Sequence, residues 1–218
     1  MKKEKNLKIL IAGLVTVLTF VLWTILVKFV DVQAIGPKGS FVGFPTVNGY
    51  VHKLTSANMF LYNVTDWLGL VPLCFALGFA FLGLAQLIKR KNLFKVDSSI
   101  LILGGFYIMV MSAYIFFEYV VINYRPVLIE GFLEASYPSS TTLLVMCVMP
   151  TAIMQLSGRI KNLLFRKIVI SLIIAFIAFM IIGRLISGVH WVTDIMGGII
   201  LSMGLVMIYY SVTKLAEK

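Results

Sequence analysis

Six apolar runs dominate the chain, approximately residues 9–30, 67–88, 99–122, 139–156, 168–186 and 191–212. Each is about 20 residues long, which as a helix matches the thickness of a bilayer core of about 30 Å. In hydrocarbon every backbone N–H and C=O must be paired within the protein, so runs of this kind fold as helices. The sequence therefore predicts an all-α fold, a six-span transmembrane helical bundle forming a single domain over residues 1–218. Composition agrees: 60% of the 218 residues are hydrophobic and 13% are charged, against about 45–50% and 25% for soluble domains. The first run follows the basic stretch Met1–Lys8 as a signal peptide would. It is too long for one and no small-residue cleavage site follows, so it is read as a span.

The formal net charge of +10 would suit a nucleic-acid partner, but its placement argues against one. Of the 19 Lys and Arg, all but Lys28, Lys38, Lys53, Arg125 and Arg184 lie at the termini or in the connections after the second and fourth spans. That alternation holds across all six spans and predicts cytoplasmic termini. The connections after the first, third and fifth spans then lie at the extracytoplasmic face. Membrane lipids are the expected surroundings, and the oligomeric state is not legible. Cys74 and Cys147 both fall inside apolar runs and read as buried small hydrophobes. Gly78, Gly83, Gly197 and Gly198 read as points of close helix approach. No cluster of ligating residues has metal-site spacing, so neither metal nor cofactor is expected.

Chemistry concentrates in the three outer connections. In the longest, residues 31–66, the later part from Val51 toward Trp67 reads as a short interfacial helix with Tyr62 and Trp67 as aromatic anchors, and His52 reads as a solvated loop residue. The third connection carries Arg184, His190 and Asp194 between two apolar runs, where ionisable groups are expensive and mark sites. His190 and Asp194 are four apart, one helical turn. Asp194 can then hold one imidazole nitrogen and leave the other free to attack. The second connection holds Glu118, Arg125, Glu130 and Glu134, and closes on Pro138-Ser139-Ser140-Thr141. That closing stretch is a helix start with Ser139 as N-cap; Trp191 opens the sixth span similarly. Two helix N-termini and two guanidiniums on one face describe a pocket for a strongly anionic group.

These residues resemble the type 2 phosphatidic acid phosphatase superfamily, whose motifs are KxxxxxxRP, PSGH and SRxxxxxHxxxD. The third motif reads here Gly183-Arg184, five residues, His190, three residues, Asp194. The first reads Glu118, six residues, Arg125-Pro126, with Glu in place of Lys. The second reads Pro138-Ser139-Ser140-Thr141, with Ser for Gly and Thr for His. Order, spacing and placement on one face all match.

The resemblance implies a membrane lipid phosphatase acting on a phosphomonoester or pyrophosphate of a phospholipid or polyprenyl carrier. It implies His190 as the nucleophile, through a phosphohistidine, and Asp194 as its orienting partner. Arg125, Arg184, Ser139 and the amide of Ser140 would bind the phosphate. A helix start near His190 favours neutral imidazole. Two departures stand out. Thr141 cannot protonate a leaving oxygen at neutral pH, help typically worth about 10²–10⁴-fold, and Glu118 puts a negative charge where the family has a positive one. Three consequences are open: a preference for pyrophosphate, whose leaving group is already a weak base; another acid, from Glu118, Glu130, Glu134 or His52; or lipid-phosphate binding without catalysis.

Overall fold

The structure, a computed structural model, describes residues 2–216. Eight α-helices follow in order: α1 (Lys2–Phe29), α2 (Pro45–Thr55), α3 (Met59–Leu68), α4 (Leu70–Arg90), α5 (Ser98–Tyr119), α6 (Ser140–Arg159), α7 (Leu163–Ile186) and α8 (Val192–Ala216). Six stretches are long and apolar enough to cross a membrane, with α3 and α4 running together as Met59–Arg90. Strand pairing among the described residues is limited to isolated bridges.

The spans fall where the apolar runs predict, with one informative shift. The second begins at Met59 rather than Trp67. Asn63, Thr65 and Asp66 interrupt the apolar window, yet Thr65 is completely buried and Asp66, though exposed, bonds to Arg184 of α7. The helix expected from Val51 toward Trp67 is divided. α2 starts earlier, on Pro45 at its first turn, and ends at Ser56, whose φ of 53° cannot continue a helix.

α6 and α8 form the centre of the bundle, about half of each span being buried, whereas the other spans bury less than a quarter of theirs. Small and polar residues let these two pack closely: Gly198 of α8 lies against Thr142 and the Ser139 carbonyl, and the Ser202 hydroxyl is 3.4 Å from the Leu143 carbonyl. α1 runs antiparallel along α8. The Ser211 hydroxyl donates to the Asn6 carbonyl near one end, and the Trp23 indole donates to the Thr193 carbonyl at 3.2 Å near the other. The start of α1 and the end of α8 therefore lie at one end of the bundle. Arg90, Asp97 and Arg159 form a charged cluster at that end. The outward faces carry Leu, Ile, Val and Phe side chains, as lipid contact demands. Cys74 is on such an exposed face, contrary to its expected burial, while Cys147 is buried.

At the opposite end three connections pack together. α2 docks on the start of α8 through fully buried Asn48, which donates to the Gly43 carbonyl at 2.7 Å and to Thr193 Oγ1 at 3.0 Å. Gly197 gives room for the Tyr137 ring, which a Cβ there would approach to 2.7 Å. The close approach expected at Gly197 is thus made, though by a loop aromatic and not a helix; at Gly78 nothing lies within 4 Å.

Candidate active site

The segment between α5 and α6 folds back on itself as a small antiparallel hairpin. Arg125 N–H donates to the Glu134 carbonyl at 3.0 Å and Ser136 N–H to the Asn123 carbonyl at 3.0 Å. Ile129 and Phe132 exchange both backbone bonds around Glu130 and Gly131, whose φ values are 49° and 84°. Positive φ at both central residues is the type I′ turn that matches strand twist. Alternate residues of an extended chain share one face. Asn123 and Arg125 on one arm, and Glu134 and Ser136 on the other, are thereby turned toward α7 and α8.

The connection between α7 and α8 presents His190 to that face. Its shape depends on Gly188, with φ of 65° and its backbone against the Ser56 carbonyl, which a Cβ would approach to 1.9 Å. The Asn58 N–H donates to the Ser187 carbonyl at 2.9 Å and fixes the same turn. α8 begins at Val192, so His190 precedes the helix and does not ride on it. Trp191 is the capping residue: its carbonyl accepts from Asp194 N–H at 3.0 Å, and its own N–H donates to Asp194 Oδ2 at 2.9 Å. Asp194 at the third helical position thus provides the acidic half of a capping box.

His190 is 4% exposed and bonded at both ring nitrogens. Arg125 Nη1 lies 3.1 Å from Nε2, and Ser136 Oγ lies 3.0 Å from Nδ1. A guanidinium has no acceptor, so Nε2 accepts and Nδ1 carries the proton. Burial, followed by the charges of Arg125 and Arg184, holds the imidazole pKa well below its usual 6.5. The expected direct hold of Asp194 on His190 is replaced by an indirect one. Asp194 Oδ2 is 3.9 Å from Nδ1, beyond hydrogen-bond reach, and Ser136 stands between them, donating to Oδ2 at 2.5 Å. Asn123 Nδ2 supplies Oδ1 at 3.0 Å.

Arg184, in the last turn of α7, is 1% exposed. It donates to Thr65 Oγ1 at 3.3 Å and to Asp66 Oδ1 at 3.2 Å, while its Nε has no partner. Arg125 Nε is 3.0 Å from Glu134 Oε2, close enough for an ion pair but misaligned for a hydrogen bond. Both guanidiniums lie over one ring, that of Tyr62, at 5.0 and 5.7 Å. Tyr62 is thus a support of the site and not the interfacial anchor expected. Arg125, Arg184, Ser140, Glu118, Glu134 and Asp66 all line one open pocket of about 550 Å³. Two buried guanidiniums with unsatisfied N–H groups at one opening suit a tetrahedral oxyanion.

The residues singled out from sequence divide accordingly. His190, Asp194, Arg125, Arg184, Ser140 and Glu118 come together. Ser139 caps α6 by position, but its side chain accepts from Thr142 and its N–H donates to the Asp194 carbonyl at 3.1 Å, so Ser140 and not Ser139 faces the pocket. Thr141 is buried beside Gly69. Glu130 is at the hairpin tip. His52 is half-buried against Trp191, with ring centroids 5.5 Å apart, rather than solvated. Ser136, Asn123, Thr65 and Asp66 escaped the sequence reading. A signal existed for the first two: polar residues alternate on both sides of Glu130-Gly131, as in a hairpin.

Comparison with known proteins bears on the fold and the family. The PAP2 superfamily model matches residues 113–217, which include all three motifs. Among solved structures, the fold is similar to a transmembrane PAP2-type phosphatidylglycerolphosphate phosphatase from Bacillus subtilis. The TM-score is 0.58 at 19% identity, over 94% of this chain and 98% of that one. Comparison with curated protein sequences gives no match. With its motifs in register and its helical bundle, the chain is similar to the PAP2 superfamily over residues 113–217.

Proposed function

We propose that the chain is an integral membrane lipid phosphatase that transfers a phosphoryl group from a lipid phosphate or pyrophosphate to His190 and then to water. The observation that carries this reading is the buried neutral imidazole whose Nε2 points at Arg125, beside a second guanidinium with a free N–H. The asymmetry of Lys and Arg supports an extracytoplasmic site.

In the free protein the Arg125 guanidinium covers Nε2. An entering phosphate offers it a better acceptor, a doubly charged oxyanion in place of a neutral ring nitrogen. As Arg125 turns to the phosphate, with Arg184 and the Ser140 end of α6, the Nε2 lone pair is uncovered. It attacks phosphorus, the N–P bond forms, and the P–O bond to the lipid breaks with its electron pair on oxygen. Water then cleaves the N–P bond and releases inorganic phosphate. Fixed positive groups stabilise the charge spread over the equatorial oxygens.

The leaving group narrows the substrate. Thr141 is buried and has no acidic proton at neutral pH, so an alkoxide leaves without help from that position. A lipid phosphate leaves readily because it is a much weaker base, and lipid pyrophosphates are the favoured class. Of the other candidate acids, Glu118 and Glu134 both line the pocket, and Glu134 is engaged as a carboxylate with Arg125.

A second reading, retention of lipid-phosphate binding without turnover, is favoured by the same Thr141 and by the carboxylates of Asp66 and Glu134 on the two guanidiniums. The experiment is phosphate release by purified protein from phosphatidic acid and from a polyprenyl pyrophosphate, beside His190→Ala. Release from the pyrophosphate that disappears in His190→Ala supports the phosphatase. Binding of both lipids with no release supports the second reading, and activity surviving in His190→Ala removes His190 as nucleophile.

A further inference from the structure

We propose that Ser136 is a positioning residue of this site, the link through which Asp194 fixes the tautomer of His190 and through which a proton passes between them. For its chemical consequence this role rests on the phosphatase reading; for the tautomer it rests on geometry alone.

The four groups form one chain. Arg125 donates to Nε2 at 3.1 Å, Nδ1–H donates to Ser136 Oγ at 3.0 Å, and Ser136 O–H donates to Asp194 Oδ2 at 2.5 Å. A hydroxyl is the one neutral side-chain group that accepts and donates through a single atom, which suits it to a gap of 3.9 Å between Nδ1 and the carboxylate. Ser136 is 2% exposed, so water does not compete for either bond. Asp194 is fixed independently by Asn123 and by the Trp191 N–H. The serine therefore connects the carboxylate to the ring and is not needed to hold the carboxylate in place. The hairpin register places it: Ser136 N–H on the Asn123 carbonyl turns both side chains to Asp194.

The link changes what happens after attack. Once Nε2 is bonded to phosphorus the ring is a positively charged phosphoimidazolium with its proton on Nδ1. That proton moves to Ser136 Oγ as the serine's own proton moves to Asp194 Oδ2. The result is a neutral phosphoimidazole and a neutral carboxylic acid, with one proton shifted and no charge lost or gained overall. Reversal of both transfers restores the cationic ring, the better leaving group, when water attacks. A buried cation–anion pair is thus exchanged for two neutral groups in a site where isolated charges are expensive.

The test uses the full-length protein in detergent micelles with ¹⁵N-labelled histidine. The sequence has two histidines, and His52→Gln removes the other signal. His190 is expected to show a protonated Nδ1 and an unprotonated Nε2 at pH 7. Ser136→Ala should shift the Nδ1–H resonance and speed its exchange with solvent by about tenfold or more. Ser136→Thr should restore it, and Ser136→Cys, a weaker acceptor, should fall between. On substrate, Ser136→Ala should lower kcat by at least about tenfold with little change in KM, since it orients the nucleophile and does not touch the phosphate. A protonated Nε2 in the wild type, or an Nδ1–H indifferent to Ala and Cys alike, overturns the role. The expected spectra in a protein that releases no phosphate would uphold the link while sinking the phosphatase reading, so the two fail separately.

Discussion

Arg184 and Asp66 meet at 3.2 Å across the wall of the pocket, the guanidinium 1% exposed and the carboxylate 54% exposed. The pair is lopsided: a buried cation on the pocket wall whose salt-bridge partner among the described residues is exposed to solvent and can swing away. Asp66 occupies the guanidinium as an entering phosphate would, and it adds a negative charge to the rim. Asp66→Asn should therefore raise affinity for inorganic phosphate by about three- to tenfold at low ionic strength, the gain shrinking as salt is added. It should also lower stability by about 1 kcal/mol, since Arg184 loses its counter-charge. Binding titrations at two salt concentrations check the first expectation and thermal melts the second.

The environment of His190 predicts a pH dependence. In the unfolded chain the imidazole takes up a proton near 6.5, whereas burial and two arginines suppress uptake in the folded protein. The unfolded state binds more protons below 6.5, so this contribution to stability is full above that pH and is lost progressively as pH falls through it. His52, held down chiefly by its own burial, contributes in the same direction. Melting temperatures from pH 8 to 5 should drop on the acid side, with a smaller drop in His190→Gln and in His52→Gln. His190 meanwhile stays unprotonated, so if it is the proposed nucleophile kcat/KM should lack the acid limb near 6.5 that an ordinary histidine would impose.

Two substitutions restore the family residues at the divergent motif positions. Thr141→His should raise turnover on phosphatidic acid by up to about 10²–10⁴-fold, and far less on a pyrophosphate, because only the alkoxide needs the proton. Equal gains on both would refute the leaving-group argument. Glu118→Lys reverses a charge on the pocket wall and should tighten phosphate binding on either substrate, chiefly through KM. An unchanged KM would show that Glu118 does not reach the bound phosphate.

Gly188 holds the turn that carries His190. Gly188→Ala puts a Cβ on a residue with φ of 65° and 1.9 Å from the Ser56 carbonyl, a backbone atom that cannot yield like a flexible side-chain tip. A loss of about 2 kcal/mol or more in stability is expected. Activity should fall further than stability, because the turn must shift and His190 shifts with it. Melting curves alongside phosphate release separate the two effects.

The apolar runs by themselves determined the six-span helical bundle, because hydrocarbon leaves a backbone no other way to satisfy its polar groups. The spacing of Arg184, His190 and Asp194 pointed to one candidate site, since those residues are neighbours along the chain and a short connection cannot separate them far. What the local pattern could not contain is the company they keep. Ser136 reaches His190 from 54 residues away, Asn123 reaches Asp194 from 71, and Asp66 reaches Arg184 from 118. Side-chain contacts over such separations depend on hairpin register, on helix rotation and on where a span begins. The second span showed the same limit: Thr65 and Asp66 read as the end of a loop because polar residues lower mean hydropathy, whereas the packed bundle buries Thr65 and sets the exposed Asp66 against Arg184. Sequence determined which helices form and which imidazole to propose as the nucleophile. Only the tertiary structure decided that a serine stands between that imidazole and its carboxylate, because a gap of 3.9 Å is set by packing and not by spacing along the chain.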